Sequence, residues 1–255
     1  MFKSYFYMWG GTVKLKKNVI FSLILLLAMA IICSVGFNGK FITTSAKPGH
    51  QQVVLIDAGH GGFDGGAVAF DGTVEKDINL NISLCLAQML KSAGYKVILT
   101  READVSTDDV ETNAIQIRKK SDLKNRLALM SDYPNAVFVS IHLNKFTTSA
   151  ANGSQVFYSG TTDESKVLGE SIQRSIVNLL QPQNTRVNKQ ATKSTYLLYN
   201  ATIPAVLVEC GFLSNKAELE LLKDTEYQKK MAFCCFLGIT DYFSNKGEQN
   251  NVTSS

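Results

Sequence analysis

The sequence has no CxxC pair, no internal repeat and no cluster of lysine and arginine interleaved with aromatic side chains. The first absence removes the usual thiol signatures of redox and zinc-ribbon modules. The second leaves no wall-binding repeat or second globular module. The third, with a net charge of only +4, leaves nucleic-acid binding without support. The five cysteines are an odd number, and Cys234 and Cys235 are neighbours that cannot pair with each other without strain. They are expected to act as small buried apolar groups rather than disulfides. Histidine is scarce as well, with three in 255 residues.

The chain length suits one domain of roughly 200 residues once the ends are set aside. Lys14, Lys16 and Lys17 precede an uncharged apolar run from Val19 to Val35. Positive charge followed by such a run is an export signal, and its length suits either a cleaved signal or a retained membrane anchor. Ile32 is too large to precede a lipidated Cys33. Residues 1–37 therefore read as signal or anchor, 38–52 as a linker, 53–243 as the catalytic domain and 244–255 as a polar tail expected to be disordered.

Val53–Ile56, Lys96–Thr100, Ala136–Ile141, Ser154–Tyr158, Tyr196–Leu198 and Ala205–Val208 read as strands. Helices are expected at Glu75–Ala93, closed by Gly94, and at Ser121–Ser131, with Ser121 as N-cap and Ala128 facing inward. Further helices are expected at Asp163–Leu180, Lys216–Leu222 and Thr225–Phe243, the first with an apolar stripe of Val167, Leu168, Ile172, Ile176 and Leu179. Gln181–Thr195 reads as a polar surface loop. Alternating strands and helices predict an α/β fold, a three-layer α/β/α single domain with a mixed central sheet.

His60 and His142 each follow an apolar strand, and Glu209 ends another. Two imidazoles, one carboxylate and a position left for water are the donor set of a catalytic zinc ion, one per chain. A separate carboxylate then moves protons. Residue type leaves the third ligand open among Glu75, Asp64, Glu102 and Asp104, because Glu75 at a helix start equally suits the helix dipole. Glu209, in an apolar setting, suits a general base or else a buried ion pair with Arg101 or Arg126. Asp57 reads either as orienting His60 or as satisfying local backbone. Asn144 reads as a substrate contact or a turn residue, and His50 as a solvated linker side chain. Arg101 and Arg126 read mainly as structural partners, with binding of a substrate carboxylate as the other reading.

Five blocks in order carry a resemblance. They are Ile56–Gly62, Glu75–Asp77, Thr100–Asp104, Val139–Asn144 and Pro204–Asn215. Over Val53–Phe243 the chain resembles the zinc-dependent N-acetylmuramoyl-L-alanine amidases of the amidase 3 family. The resemblance implies zinc held by His60, Glu75 and His142, and Glu209 as the residue that moves the proton. It implies cleavage of the amide between the lactyl group of muramic acid and L-alanine, so the partners are glycan strands with their stem peptides. A single catalytic domain behind a membrane signal is most similar to the germination-specific spore-cortex members. That places the chain outside a bacterial membrane, facing the forespore or cortex, and leaves any accessory protein unread. A vegetative lytic or cell-separation amidase and a zinc carboxypeptidase-like enzyme are the rival enzymes. A non-catalytic wall-binding scaffold is the rival of another class, but a binder has no use for Glu209.

Overall fold

A computed structural model describes residues 6–8, 11–13 and 51–252, the last six of these as backbone only. The chain forms two units, Met1–Gly49 and His50–Ser255. In the first, β1 (Phe6–Met8) pairs antiparallel with β2 (Gly11–Val13). The apolar run 19–35 and the linker to residue 50 lie outside the described residues. Among the described residues, no helix is long and apolar enough to cross a membrane.

The second unit runs β3 (Val53–Ala58), α1 (Glu75–Ser92), β4 (Lys96–Leu99), α2 (Ile115–Asp132), β5 (Ala136–Asn144), β6 (Gln155–Tyr158) and α3 (Asp163–Leu179). It continues with β7 (Lys189–Gln190), α4 (Tyr196–Tyr199), β8 (Ala205–Phe212), α5 (Lys216–Lys223) and α6 (Thr225–Val252). The six strands form one sheet in the order β4-β3-β5-β8-β6-β7. β4, β3, β5 and β8 are parallel, β6 runs antiparallel to β8, and β7 is parallel to β6, so the sheet is mixed as expected.

Strand alternation divides the core into two layers. Val54, Ile56, Val137, Val139, Val206 and Val208 pack with Ile82, Leu86, Ile172 and Ile239 of α1, α3 and α6. Leu55, Phe138 and Ala205 pack on the other face with Met130 of α2 and Leu198 of α4. That makes three layers. In α1 the stripe Ile78, Ile82, Leu86 and Leu90 is buried at four-residue spacing. The helix stops where Gly94 takes φ 91°, a left-handed conformation that suits glycine.

Five local expectations need correction. α2 begins at Ile115, so Ser121 is buried inside it and does not cap it, and Ala128 is exposed. Its first turns carry exposed Ile115 and Ile117 and are tied by ion pairs instead of burial, so apolar periodicity does not report them. Tyr196–Leu198 forms a single helical turn with Leu197 and Leu198 both buried; three residues are too few to separate the two periods. Within the expected loop 181–195, Lys189–Gln190 adds a strand at the sheet edge. The last helix continues through residues 244–252, where Gly247 weakens it but no proline interrupts it, and extending an existing helix is far easier than starting one. In α3 the buried stripe is Leu168, Ile172 and Ile176, while Val167 and Leu179 are exposed. Cys85, Cys210, Cys234 and Cys235 are unpaired, and the last three are buried.

Candidate metal centre

The parallel strands β3, β5 and β8 end side by side, and the chemistry-bearing residues sit at or just past those ends. That is the usual site position in an open α/β sheet. β3 ends at Ala58, and Gly59 N–H continues the ladder by donating to Ile141 O at 3.0 Å. A Cβ on Gly59 would fall on the His142 ring, so this position needs glycine for close approach. His60 follows in the left-handed region, φ 62°, an unfavourable conformation that other contacts must hold. Gly61 and Asp64 exchange backbone hydrogen bonds at 2.9 and 3.0 Å, closing a tight turn after His60.

Glu75 is the first residue of α1 and only 3% exposed. Its Oε1 lies 3.3 Å from His60 Nε2 and 3.1 Å from His142 Nδ1. The same oxygen accepts the Leu143 N–H at 3.0 Å and Asn79 Nδ2 at 3.2 Å, while Oε2 accepts the Ala67 N–H at 2.8 Å. One ligand atom from each of His60, Glu75 and His142 fits within a 4.8 Å span. The two rings meet edge to face with centroids 4.9 Å apart. Burial opposes charge on His60, yet hydrogen bonds to Asp64 and Glu75 raise its pKa to about 9. Glu75 titrates far below the usual carboxylate range because the two imidazoles overcome its burial. A carboxylate and two ring nitrogens converging within 4.8 Å favour a cation between them. A dication fits there, and two nitrogens with one carboxylate match zinc.

Glu209 stands beside this cluster, in register with His142 across β5 and β8, so both project from one face of the sheet. Its Oε2 is sealed from solvent and has no hydrogen-bond partner among the described residues. Burial pushes its carboxyl up to about 7 against the pull of His142, with Glu75 adding to the rise. A carboxyl that holds its proton in the fold up to about 7, from an ordinary 4.5, makes stability fall as pH rises across that interval. Without metal, the penalty at pH 8 is about 3 kcal/mol. Chelated Glu209→Gln is therefore expected to melt above the chelated native chain at pH 8, with the gap closing near pH 4.5. Thermal melts at the two pH values check this; a gap that does not change with pH contradicts it.

The remaining candidates separate clearly. Asp57 touches neither histidine ring; it accepts from Ser140 Oγ at 2.6 Å and Thr100 Oγ1 at 2.9 Å and pairs with Arg126. Asp57 sits mid-sheet, facing Arg126 of α2, so it cannot serve as the orienting carboxylate. The carboxylate on His60 Nδ1 is instead Asp64, at 2.9 Å. Arg126 spends its guanidinium on Asp57, Asp122 and the carbonyls of Ala58 and His60. Arg101 donates to the carbonyls of Ala58, Gly59, Lys76 and Ala103. Both arginines are buried braces of the segment that carries His60, with neither paired to Glu209. Asn144 pairs its carbonyl with Leu213 N–H at 2.8 Å and keeps a half-buried side chain near the β5 end. Glu102 is exposed, and Asp104 binds Lys76 at 2.7 Å and the Gly62 N–H at 2.8 Å.

Asn79 and Gly59 are site residues that residue patterns did not single out. Asn79 sits one helical turn after Glu75 on the same face, a polar residue beside the apolar stripe of α1. That break in the stripe was the available signal. Gly59→Ala should displace the His142 ring and weaken zinc binding by about ten-fold or more, the scale of disturbed ligand support. Competition with a chromogenic chelator measures this, and unchanged affinity would show that the ring tolerates the added methyl group.

The N-acetylmuramoyl-L-alanine amidase family matches residues 54–241. The germination-specific N-acetylmuramoyl-L-alanine amidase of Bacillus subtilis (strain 168) is 36% identical over 197 residues, covering 77% of this chain and 82% of its own length. The CwlD amidase from Clostridioides difficile, solved in complex with the GerS lipoprotein, is 43% identical with a TM-score of 0.73, over 76% of this chain and 99% of that one. AmiC2 of Nostoc punctiforme, an N-acetylmuramoyl-L-alanine amidase, is 30% identical with a TM-score of 0.64, over 76% and 98% of the two chains.

Proposed function

The chain belongs to the amidase 3 family and is an N-acetylmuramoyl-L-alanine amidase, and we propose that it works with zinc held by His60, Glu75 and His142 and acts on spore cortex. The observation that carries the metal reading is the convergence of those three donors beside a sealed, unpartnered carboxylate. When bound, zinc supplies a Lewis acid that polarises a carbonyl and lowers the pKa of water.

This chain's residues do the rest. Glu209 accepts the proton of the attacking water and returns it to the alanine nitrogen as the amide breaks, so one carboxyl serves as base and then acid. Its place on an apolar strand keeps its proton affinity high enough for the second transfer. Glu75 is kept from this role by Asn79 and by the Ala67 and Leu143 N–H groups, which hold it as an anion in one orientation. Asn144, two residues past His142, stands as a contact for the stem peptide.

Residues 1–37 export the chain or anchor it at the outer face of the membrane, where peptidoglycan lies. The cortex role is supported by the germination-specific relative, and an accessory lipoprotein by the complex of the CwlD amidase with GerS. Removing stem peptides in this way prepares muramic acid for conversion to muramic-δ-lactam. Muropeptide analysis of dormant spores lacking the protein tests this. Loss of the lactam with a normal vegetative wall is the expected result. An unchanged cortex with altered vegetative wall would assign the protein to cell separation or lysis.

A further inference from the structure

Asp64 is the carboxylate at the site that the chemistry above leaves unused. Its Oδ2 lies 2.9 Å from His60 Nδ1, while its Oδ1 accepts the Gly66 N–H at 3.2 Å and lies 3.0 Å from Lys119 Nζ. Its backbone closes the turn with Gly61, and Arg126 Nη2 donates to His60 O at 2.7 Å. Phe63, the residue before Asp64 in that turn, lies under the Arg118 guanidinium, whose carbon is 4.0 Å from the ring centroid, and Arg118 is fixed by Asp108 at 2.7 Å. Two adjacent cations from the first turns of α2 therefore grip the loop that carries His60.

We infer that Asp64 is a positioning residue for His60, clamped by Lys119, and that it lets α2 set the metal affinity of the site. A hydrogen bond from His60 Nδ1–H to Asp64 fixes the tautomer, so that Nε2 offers its lone pair on the Glu75 side. The same bond raises the basicity of the ring as a ligand. Lys119 and the Gly66 N–H occupy Oδ1, which keeps this nearby carboxylate from turning onto the metal itself. Both rings also pack against bare glycine Cα atoms, His142 against Gly59 and His60 against Gly66. What distinguishes His60 is the second carboxylate, Asp64, on its ring; among the described residues, His142 has only Glu75.

The inference rests on the zinc reading and is tested on the whole chain, stripped of metal and titrated with zinc alone against a chromogenic chelator. Asp64→Asn and Asp64→Ala are expected to bind zinc about 10- to 100-fold more weakly, the usual cost of losing such a partner. Lys119→Met should weaken it by a smaller factor. Asp104→Asn is the control, because Asp104 anchors the same loop through Gly62 and Lys76 without touching a donor. It should leave zinc affinity unchanged. Nitrogen-15 NMR of the zinc-loaded chain should show a slowly exchanging His60 Nδ1–H that disappears in Asp64→Ala. Native zinc affinity in both Asp64 variants would overturn the inference, and so would an equal loss in Asp104→Asn, which marks mere loop anchoring. A native chain that takes up no zinc would instead defeat the metal reading beneath it.

Discussion

Glu209→Gln is expected to fold and hold zinc like the native chain, yet turn over purified peptidoglycan about two to four orders of magnitude more slowly, the usual worth of a positioned base. Glutamine keeps the shape of the side chain and removes only its ability to take and give a proton. No hydrogen bond among the described residues needs the charge: Oε2 of Glu209 has no partner there, and Arg101 and Arg126 are committed elsewhere. The loss should therefore appear in kcat, with the substrate still bound. A variant that arrives free of metal would show that Glu209 is a ligand.

His142→Ala carries the second large effect. It removes one of three donors, and the two that remain leave the ion weakly held, so metal and activity should fall together. Glu75→Gln should act in the same direction, because an amide oxygen lacks the charge that holds a dication. It also places an amide among the Asn79, Ala67 and Leu143 donors, where the carboxylate accepts three hydrogen bonds besides its contacts with the histidines. Metal content by mass spectrometry, read beside turnover, separates these variants from Glu209→Gln. If Glu75→Gln stays loaded while Glu209→Gln is empty, the two carboxylates have exchanged roles.

The elements that could be read from the sequence are those whose position depends on local pattern. The apolar runs of β3, β5 and β8 and the four-residue stripe of α1 mark themselves, and with them the strand ends where His60, His142 and Glu209 sit. Contacts that bridge distant segments could not be read this way. Asp57 meets Thr100, Arg126 and Ser140 from 43, 69 and 83 residues away, and no local spacing shows that these three, and not His60, surround it. The early start of α2 was hidden for a related reason. Arg118 and Lys119 tie its first turns to Asp108 and Asp64, so charge pairs across the fold replace the buried stripe that a reader looks for. Gly59 belongs to the same group. Only the position of the His142 ring shows that Gly59, like Gly61 and Gly66 after it, must stay bare.

X-ray diffraction collected at the zinc absorption edge, from crystals of the zinc-loaded chain, tests the central claim most directly. A single anomalous peak bonded to His60, Glu75 and His142, with Glu209 nearby but unbonded, is the predicted result. A peak that includes Glu209 among its ligands, or that lies away from His60 and His142, would contradict it.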